Sequence, residues 1–364
     1  MNTNALIQPL TTPLTTPLIQ PPTQTVTVAS VPDVKTAWRP GSDTIALLAL
    51  IAIGLLLPFI VSSYHLRVAT GMFMMIGLAQ AWNLIGGYAG AMSLGQAAFF
   101  GVGAIVTSVF LINHAAAPAA ILGGSLAALL VAAAIGHVTL RLKGHYFVVA
   151  TMLVVEALRN VVLNLELFGF SGKRSVSLTD LVGLKGMDYV QFNQFFYGVM
   201  FSTAIVATVT VLALAGSRWG LALKALRDSP GAAAVLGVPV AASKFVAFAV
   251  SALLAGLIGG LWACWNGTVE TNEAFGFTMT FEIIVMVFLG GRGTLWGPIL
   301  GVVCISLLNE FIGTEYAEIQ LIISGAIIVA VVLLQPDGLA EIIRTRGRSL
   351  APSAIVANLK RYRG

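Results

Sequence analysis

The chain has 364 residues, of which 57% are hydrophobic and only 10% charged, with a formal net charge of +5 and a mean hydropathy of +0.91. A soluble domain carries roughly a quarter charged residues, so this chain cannot cover itself in water, and its solvent is lipid. The basic balance does not point to nucleic acid. Most Lys and Arg flank apolar stretches, the pattern that orients a membrane protein and meets anionic headgroups.

Residues 1–43 differ in kind from the rest. They repeat Thr-Thr-Pro-Leu at 11–14 and 15–18 and contain Pro21-Pro22. Such low-complexity sequence cannot bury a core, so a disordered cytoplasmic tail is expected. No basic start runs directly into an apolar stretch, which argues against a signal peptide. Apolar stretches then recur at roughly 44–62, 66–86, 97–112, 118–140, 145–163, 194–215, 244–265, 279–290, 298–312 and 318–335. They are too unbroken for alternating barrel strands, and a backbone that satisfies itself in lipid is then helical. The expected fold is all-α: a polytopic transmembrane helical bundle of about ten spans over 44–335, followed by a basic tail at 336–364. With the N-terminus inside, fifteen Lys and Arg fall on the inner side, Arg218, Lys224, Arg227, Lys244 and Arg292 among them. Only Arg67, Lys173, Arg174 and Lys185 fall outside, and Arg159 lies within a span. That asymmetry predicts both termini in the cytoplasm.

Within this frame several places carry polar chemistry. Asn83, Ser93 and Gln96 surround a Gly-rich insertion, Gly86-Gly87-Tyr88-Ala89-Gly90. The insertion is either a tight turn or a re-entrant element beside a translocation route, since irregular backbone at membrane depth needs protein or a cavity to satisfy it. The three polar side chains could meet a zwitterion in transit or bond between helices. Glu156 and Arg159 lie three residues apart on one helix face and are expected to pair. Glu282 and Glu310 are intramembrane carboxylates and therefore pathway candidates, with Arg292 available to either. A second glycine-rich run, Gly290-Gly291-Arg292-Gly293-Thr294, reads as a turn. Gly256 with Gly260, and Gly297 with Gly301, have the four-residue spacing that lets helices approach closely. Cys264 and Cys304 both lie in apolar spans and are expected as packed thiols.

The longest inner connection, 216–243, reads as an initial helical run over 219–226 and then a second short helix. Asp228 or Ser229 can cap that second helix, with Pro230 at or beside its first position, where its missing N–H costs little. Small residues, Ala232 and Ala233 among them, follow as far as Gly237. A short helix with an Ala-rich surface is shaped to slot into a groove on another protein; the lack of large apolar residues on one face argues against the alternative, an interfacial helix resting on lipid.

Here the sequence resembles a known family. Arg227-Asp228-Ser229-Pro230 with Ala232, Ala233 and Gly237-Val238, followed by Lys244-Phe245, looks like the ATPase-coupling segment of permeases in branched-chain amino-acid ABC importers. The likeness extends to Trp82-Asn83-Leu84, the 86–101 run, Gly144-His145-Tyr146-Phe147, 251–256 and 290–298. It is nearest the M-type (LivM-like) member of the permease pair. The resemblance implies a bacterial inner-membrane transport subunit without its own ATPase site. Its partners would be a second homologous permease, two ABC ATPase subunits that bind the ATP, and an extracytoplasmic solute-binding protein. It implies branched-chain amino acids as solute, with urea and short amides as the alternative, and no cofactor or metal in this chain. The 168–174 stretch departs from the family's usual Thr-Gly-Gly-rich outer loop.

Two other classes fit the sequence less well. Gly169-Phe170-Ser171-Gly172 has the form of a rhomboid-type protease nucleophile, but all four histidines precede Ser171, where such a protease carries its base later. An ion-coupled secondary transporter would also show ten spans and buried carboxylates, yet has no need of the 227–237 segment.

Overall fold

A computed structural model describes residues 52, 54–58, 61–142, 144–164, 166–167, 170–172, 176–177, 187–315 and 338–340. The expected tail at 1–43, most of the tail at 336–364, most of the span at 44–62 and the span at 318–335 lie outside the described residues. So do Lys173, Arg174 and Lys185.

The described chain is built of helices: α1 (Ser63–Asn83), α2 (Gln96–Ile112), α3 (Ala117–Thr139), α4 (His145–Leu163), α5 (Tyr189–Gly216), α6 (Arg218–Asp228), α7 (Pro230–Val235), α8 (Val240–Asn266), α9 (Thr271–Ala274), α10 (Phe277–Gly290) and α11 (Trp296–Glu315). Among the described residues six helical stretches are long and apolar enough to cross a membrane, with two shorter apolar ones, Gln96–Ile112 and Trp296–Phe311. These eight coincide with the eight expected spans that fall on described residues. The starts follow from local chemistry: Pro118 opens α3, Asp188 caps α5 by accepting from the Tyr189 N–H at 2.9 Å, and Gly267 ends α8.

The centre of the bundle is α8, packed against α1, α2 and α3. Ala247, Ala252, Ala255, Ile258 and Ala263 are fully enclosed there, as are Ala97, Ala98 and Ala104 on α2. Small residues set this approach. A side chain on Gly103 would collide with the Gly256 backbone, and one on Gly259 with the Phe100 carbonyl. In lipid, such close backbone packing replaces the hydrophobic drive between helices. Gly260 meets Thr107 and Ile121 of the neighbouring helices. On the flanks, Leu122, Leu130 and Val138 of α3 and Val149 and Leu153 of α4 are exposed, the apolar surface that lipid covers.

The loops sort to two opposite ends. At one end, the loop after α1, the α6–α7 hairpin and the α10–α11 turn touch one another. At the other, Arg67 stacks over Trp265 at 5.3 Å, and Thr271 donates to the Gly172 carbonyl at 2.8 Å. Strand β3 (Val176–Ser177) pairs antiparallel there with β4 (Thr268–Val269), and β1 (Glu166–Leu167) pairs with β2 (Phe170–Ser171). This two-ended sorting is what alternating membrane crossings produce.

Candidate functional site

The first end holds the segment singled out in the sequence. Ser217 caps α6, its hydroxyl accepting from the Trp219 N–H at 3.2 Å. Of the two cap candidates for α7 the structure uses Ser229, which accepts from the Ala232 N–H at 3.4 Å, while Asp228 is the last residue of α6. Pro230 stands at the first turn of α7, where a missing N–H leaves no bond unmade. One face of α6 is buried through Gly220, Leu223 and Leu226. In α7 only Ala233 is buried, at 2% exposure. Ala232 and Ala234 are exposed, as are the two large apolar residues that follow, Val235 at 88% and Leu236 at 81%. The Ala-rich surface expected from sequence is therefore tipped by a bare Val-Leu pair. The sequence pattern points to the small residues and not to this pair. The available signal was an apolar pair immediately before the helix-ending Gly237.

Behind the hairpin lie the two glycine-rich breaks. Helix α1 passes into a π-helical turn, Leu84–Tyr88, before the irregular 89–95 stretch. Asn83, fully buried, spans to the other break: its Oδ1 accepts from the Gly293 N–H at 2.8 Å, and its Nδ2 donates to the Thr294 carbonyl at 2.8 Å. Gln80, not singled out from sequence, donates to the Leu295 carbonyl at 2.8 Å. The Trp82 indole donates to the Ser93 carbonyl at 2.8 Å, and the Ser93 hydroxyl accepts from the Gly95 N–H at 3.2 Å. Arg227, from the end of α6, reaches the Gly87 carbonyl with Nη1 at 3.4 Å and its own neighbour Asp228 at 3.6 Å.

The remaining candidates are dispersed. Gln96 lies at the start of α2, where its Oε1 accepts from the Ser251 hydroxyl at 3.2 Å and its buried Nε2 has no partner among the described residues. Glu282 sits half-buried on α10. Glu310 is on the last turns of α11 at the opposite end, where Tyr64 hydrogen-bonds it. Arg292 pairs with neither carboxylate in the way sequence allowed; its guanidinium lies 5.3 Å over the Phe288 ring. Glu156 and Arg159 bond to each other on the outer side of α4, with Asn160 Nδ2 also 3.3 Å from Glu156 Oε1. Cys264 is buried, Cys304 is partly so, and both are free thiols. Among the described residues no group of three or more His, Cys, Asp or Glu is placed to hold a metal ion. An open groove on the flank between α5 and α8, lined by Gln194, Phe195, Gly198, Ser202, Thr203 and Leu257, does not include any of the site residues named from sequence.

The arrangement can therefore do one mechanical thing. A hairpin with an exposed Val-Leu tip is joined through side chain and backbone to the loop after α1, which also bonds the α10–α11 turn. Comparison with known proteins adds the following. A family described as branched-chain amino acid transport system / permease component matches residues 64–332. The chain is 28% identical over 324 residues to the high-affinity branched-chain amino acid transport system permease protein LivM of Salmonella typhimurium, covering 82% of this chain and 75% of that protein. The LivM protein of Escherichia coli is 27% identical over the same shares of each chain. A probable branched-chain amino acid transport permease protein LivH of Methanocaldococcus jannaschii is 27% identical over 197 residues, 50% of this chain and 62% of that one. No solved structure matches at a significant level.

Proposed function

The chain belongs to the branched-chain amino acid transport permease family, and from that premise we propose that it lines the passage of an ATP-driven importer for leucine-like amino acids. The observation that carries the reading is the α6–α7 hairpin, whose exposed Val235–Leu236 tip stands at the end of the bundle that also carries Arg218, Lys224, Arg227 and Arg292. That basic end faces the cytoplasm, as the inside excess of Lys and Arg dictates. Ten spans with both termini inside complete the topology, the spans at 44–62 and 318–335 included. A second homologous permease pairs with this chain, two ATPase subunits receive the hairpins, and an extracytoplasmic binding protein delivers the solute. The sequence contains no G-x-x-x-x-G-K-[ST], so the ATP is held by the partner subunits. Binding of ATP favours one arrangement of the assembly over the other, and the hairpin carries that preference into the membrane. Urea or a short amide is the alternative solute of the same machinery.

Purification of the tagged chain from gently solubilised membranes is expected to bring down a P-loop ATPase and a second permease, identified by mass spectrometry. A specific observation also favours a second reading. Glu282 is a half-buried carboxylate within a crossing helix, with no hydrogen bond or ion pair among the described residues, as an ion-coupled carrier would carry. Purification of this chain without an ATPase would favour that reading.

A further inference from the structure

Resting on the reading of the α6–α7 hairpin as the ATPase docking element, we propose that Arg227 is the positioning residue that transmits the hairpin's motion to both glycine breaks at once. Three segments far apart in sequence meet on this one side chain. Its Nη1 donates to the Gly87 carbonyl at the π-helical turn. A Cβ on Gly90 would stand 2.8 Å from Arg227 Cγ and 3.3 Å from its Cα. A Cβ on Gly293 would strike Arg227 Nη1 and come within 3.0 Å of the Gly87 carbonyl oxygen. Gly90 and Gly293 also have φ of +68° and +72°, a region closed to most side chains. Both glycines thus stand against the arginine in backbone conformations that favour glycine.

The two breaks are also tied to each other, because Asn83 holds the Gly293 N–H and the Thr294 carbonyl. A displacement of α6 by the ATPase therefore cannot move one turn without the other. The breaks head four membrane-crossing segments: α1 and α2 on one side, α10 and α11 on the other. Arginine suits the task because its planar fork presents several donors in fixed geometry, whereas lysine is a point charge on a flexible stem. The neighbouring Asp228, whose side chain is 74% exposed, adds little to the placement, since exposed ion pairs are weak. Arg141 is a fair comparison, because it lies just after α3, outside the hairpin, and its guanidinium reaches His137 one turn back at 2.7 Å.

The test uses the whole assembly reconstituted in vesicles with ATP and solute-loaded binding protein. Arg227→Ala is expected to keep the ATPase bound and basal hydrolysis within about twofold of the unaltered assembly. Uptake should fall at least about tenfold, a loss of about 1.4 kcal/mol in coupling. Arg227→Lys should recover part of the uptake, and Arg141→Ala should leave it unchanged. Wild-type uptake in Arg227→Ala with the ATPase still bound would overturn the role of Arg227 while leaving the docking reading intact. Loss of the ATPase from Arg227→Ala would place the residue in the docking face instead and overturn the proposal equally. Should Arg227→Ala fail to accumulate, Arg227→Lys decides by the same criteria, with reduced uptake at constant basal hydrolysis as the supporting result. If the unaltered chain holds no ATPase, the docking reading itself fails.

Discussion

Replacing Val235 and Leu236 together with aspartate is expected to release the ATPase subunits and lower uptake at least about a hundredfold, with the chain still inserted in the membrane. The two side chains are 88% and 81% exposed, so they contribute little to the packing of this chain by itself. Burying each in a partner's groove is worth roughly 1.5–3 kcal/mol. Losing both removes about 3–6 kcal/mol of association, two to four decades in Kd, and the buried carboxylates add a desolvation cost. Co-purification and vesicle uptake read the two effects separately. Retained ATPase and unchanged uptake would show that the tip meets no partner. Ala233, which sequence alone puts forward as part of the docking surface, is a poorer probe. At 2% exposure it is covered within its own chain, so a charge there would report the collapse of α7 rather than a lost partner.

Asn83→Ala is expected to lower the stability of the solubilised protein by about 2–4 kcal/mol. Asn83 is fully buried and satisfies two backbone groups across 210 and 211 residues of sequence. Its removal orphans the Gly293 N–H and the Thr294 carbonyl, each at roughly 1–3 kcal/mol. Asn83→Asp should cost no less. It keeps an acceptor for Gly293, but it sets a carboxylate oxygen against the Thr294 carbonyl. Ser93→Ala, which orphans one buried group, the Gly95 N–H, should cost about half as much as Asn83→Ala. Thermal unfolding followed in detergent separates these variants. Equal stability of Asn83→Ala and the unaltered protein would mean that the two glycine breaks are held together by something else.

The helices were legible in the sequence because lipid imposes a simple rule: long apolar runs with charges at their ends. The α7 start was legible for a similarly local reason, since Ser229-Pro230 is a cap followed by a residue that lacks an N–H. What could not be read was anything decided by which loop meets which. The partners of Asn83 and Gln80 sit in the α10–α11 turn, and nothing in either segment names the other. Arg292, open to two carboxylates on paper, stacks on Phe288 one turn back in its own chain, while Glu310 is carried to the far end beside Tyr64. The π-helical turn at Leu84–Tyr88 has the same origin. Gly86 and Gly87 permit it, but it is the Trp82 ring and Asn83, packed against those glycines, that leave no room for larger residues. The exposure of Val235 and Leu236 required knowing that Ala233, not its larger neighbours, turns inward.

The most direct measurement is solute accumulation in vesicles holding the purified assembly, with radiolabelled leucine presented by its binding protein and ATP enclosed with the ATPase subunits. Accumulation against a gradient that needs both ATP and the binding protein is the predicted result. Uptake that proceeds without ATP and follows an imposed ion gradient would contradict it and make this chain an ion-driven carrier.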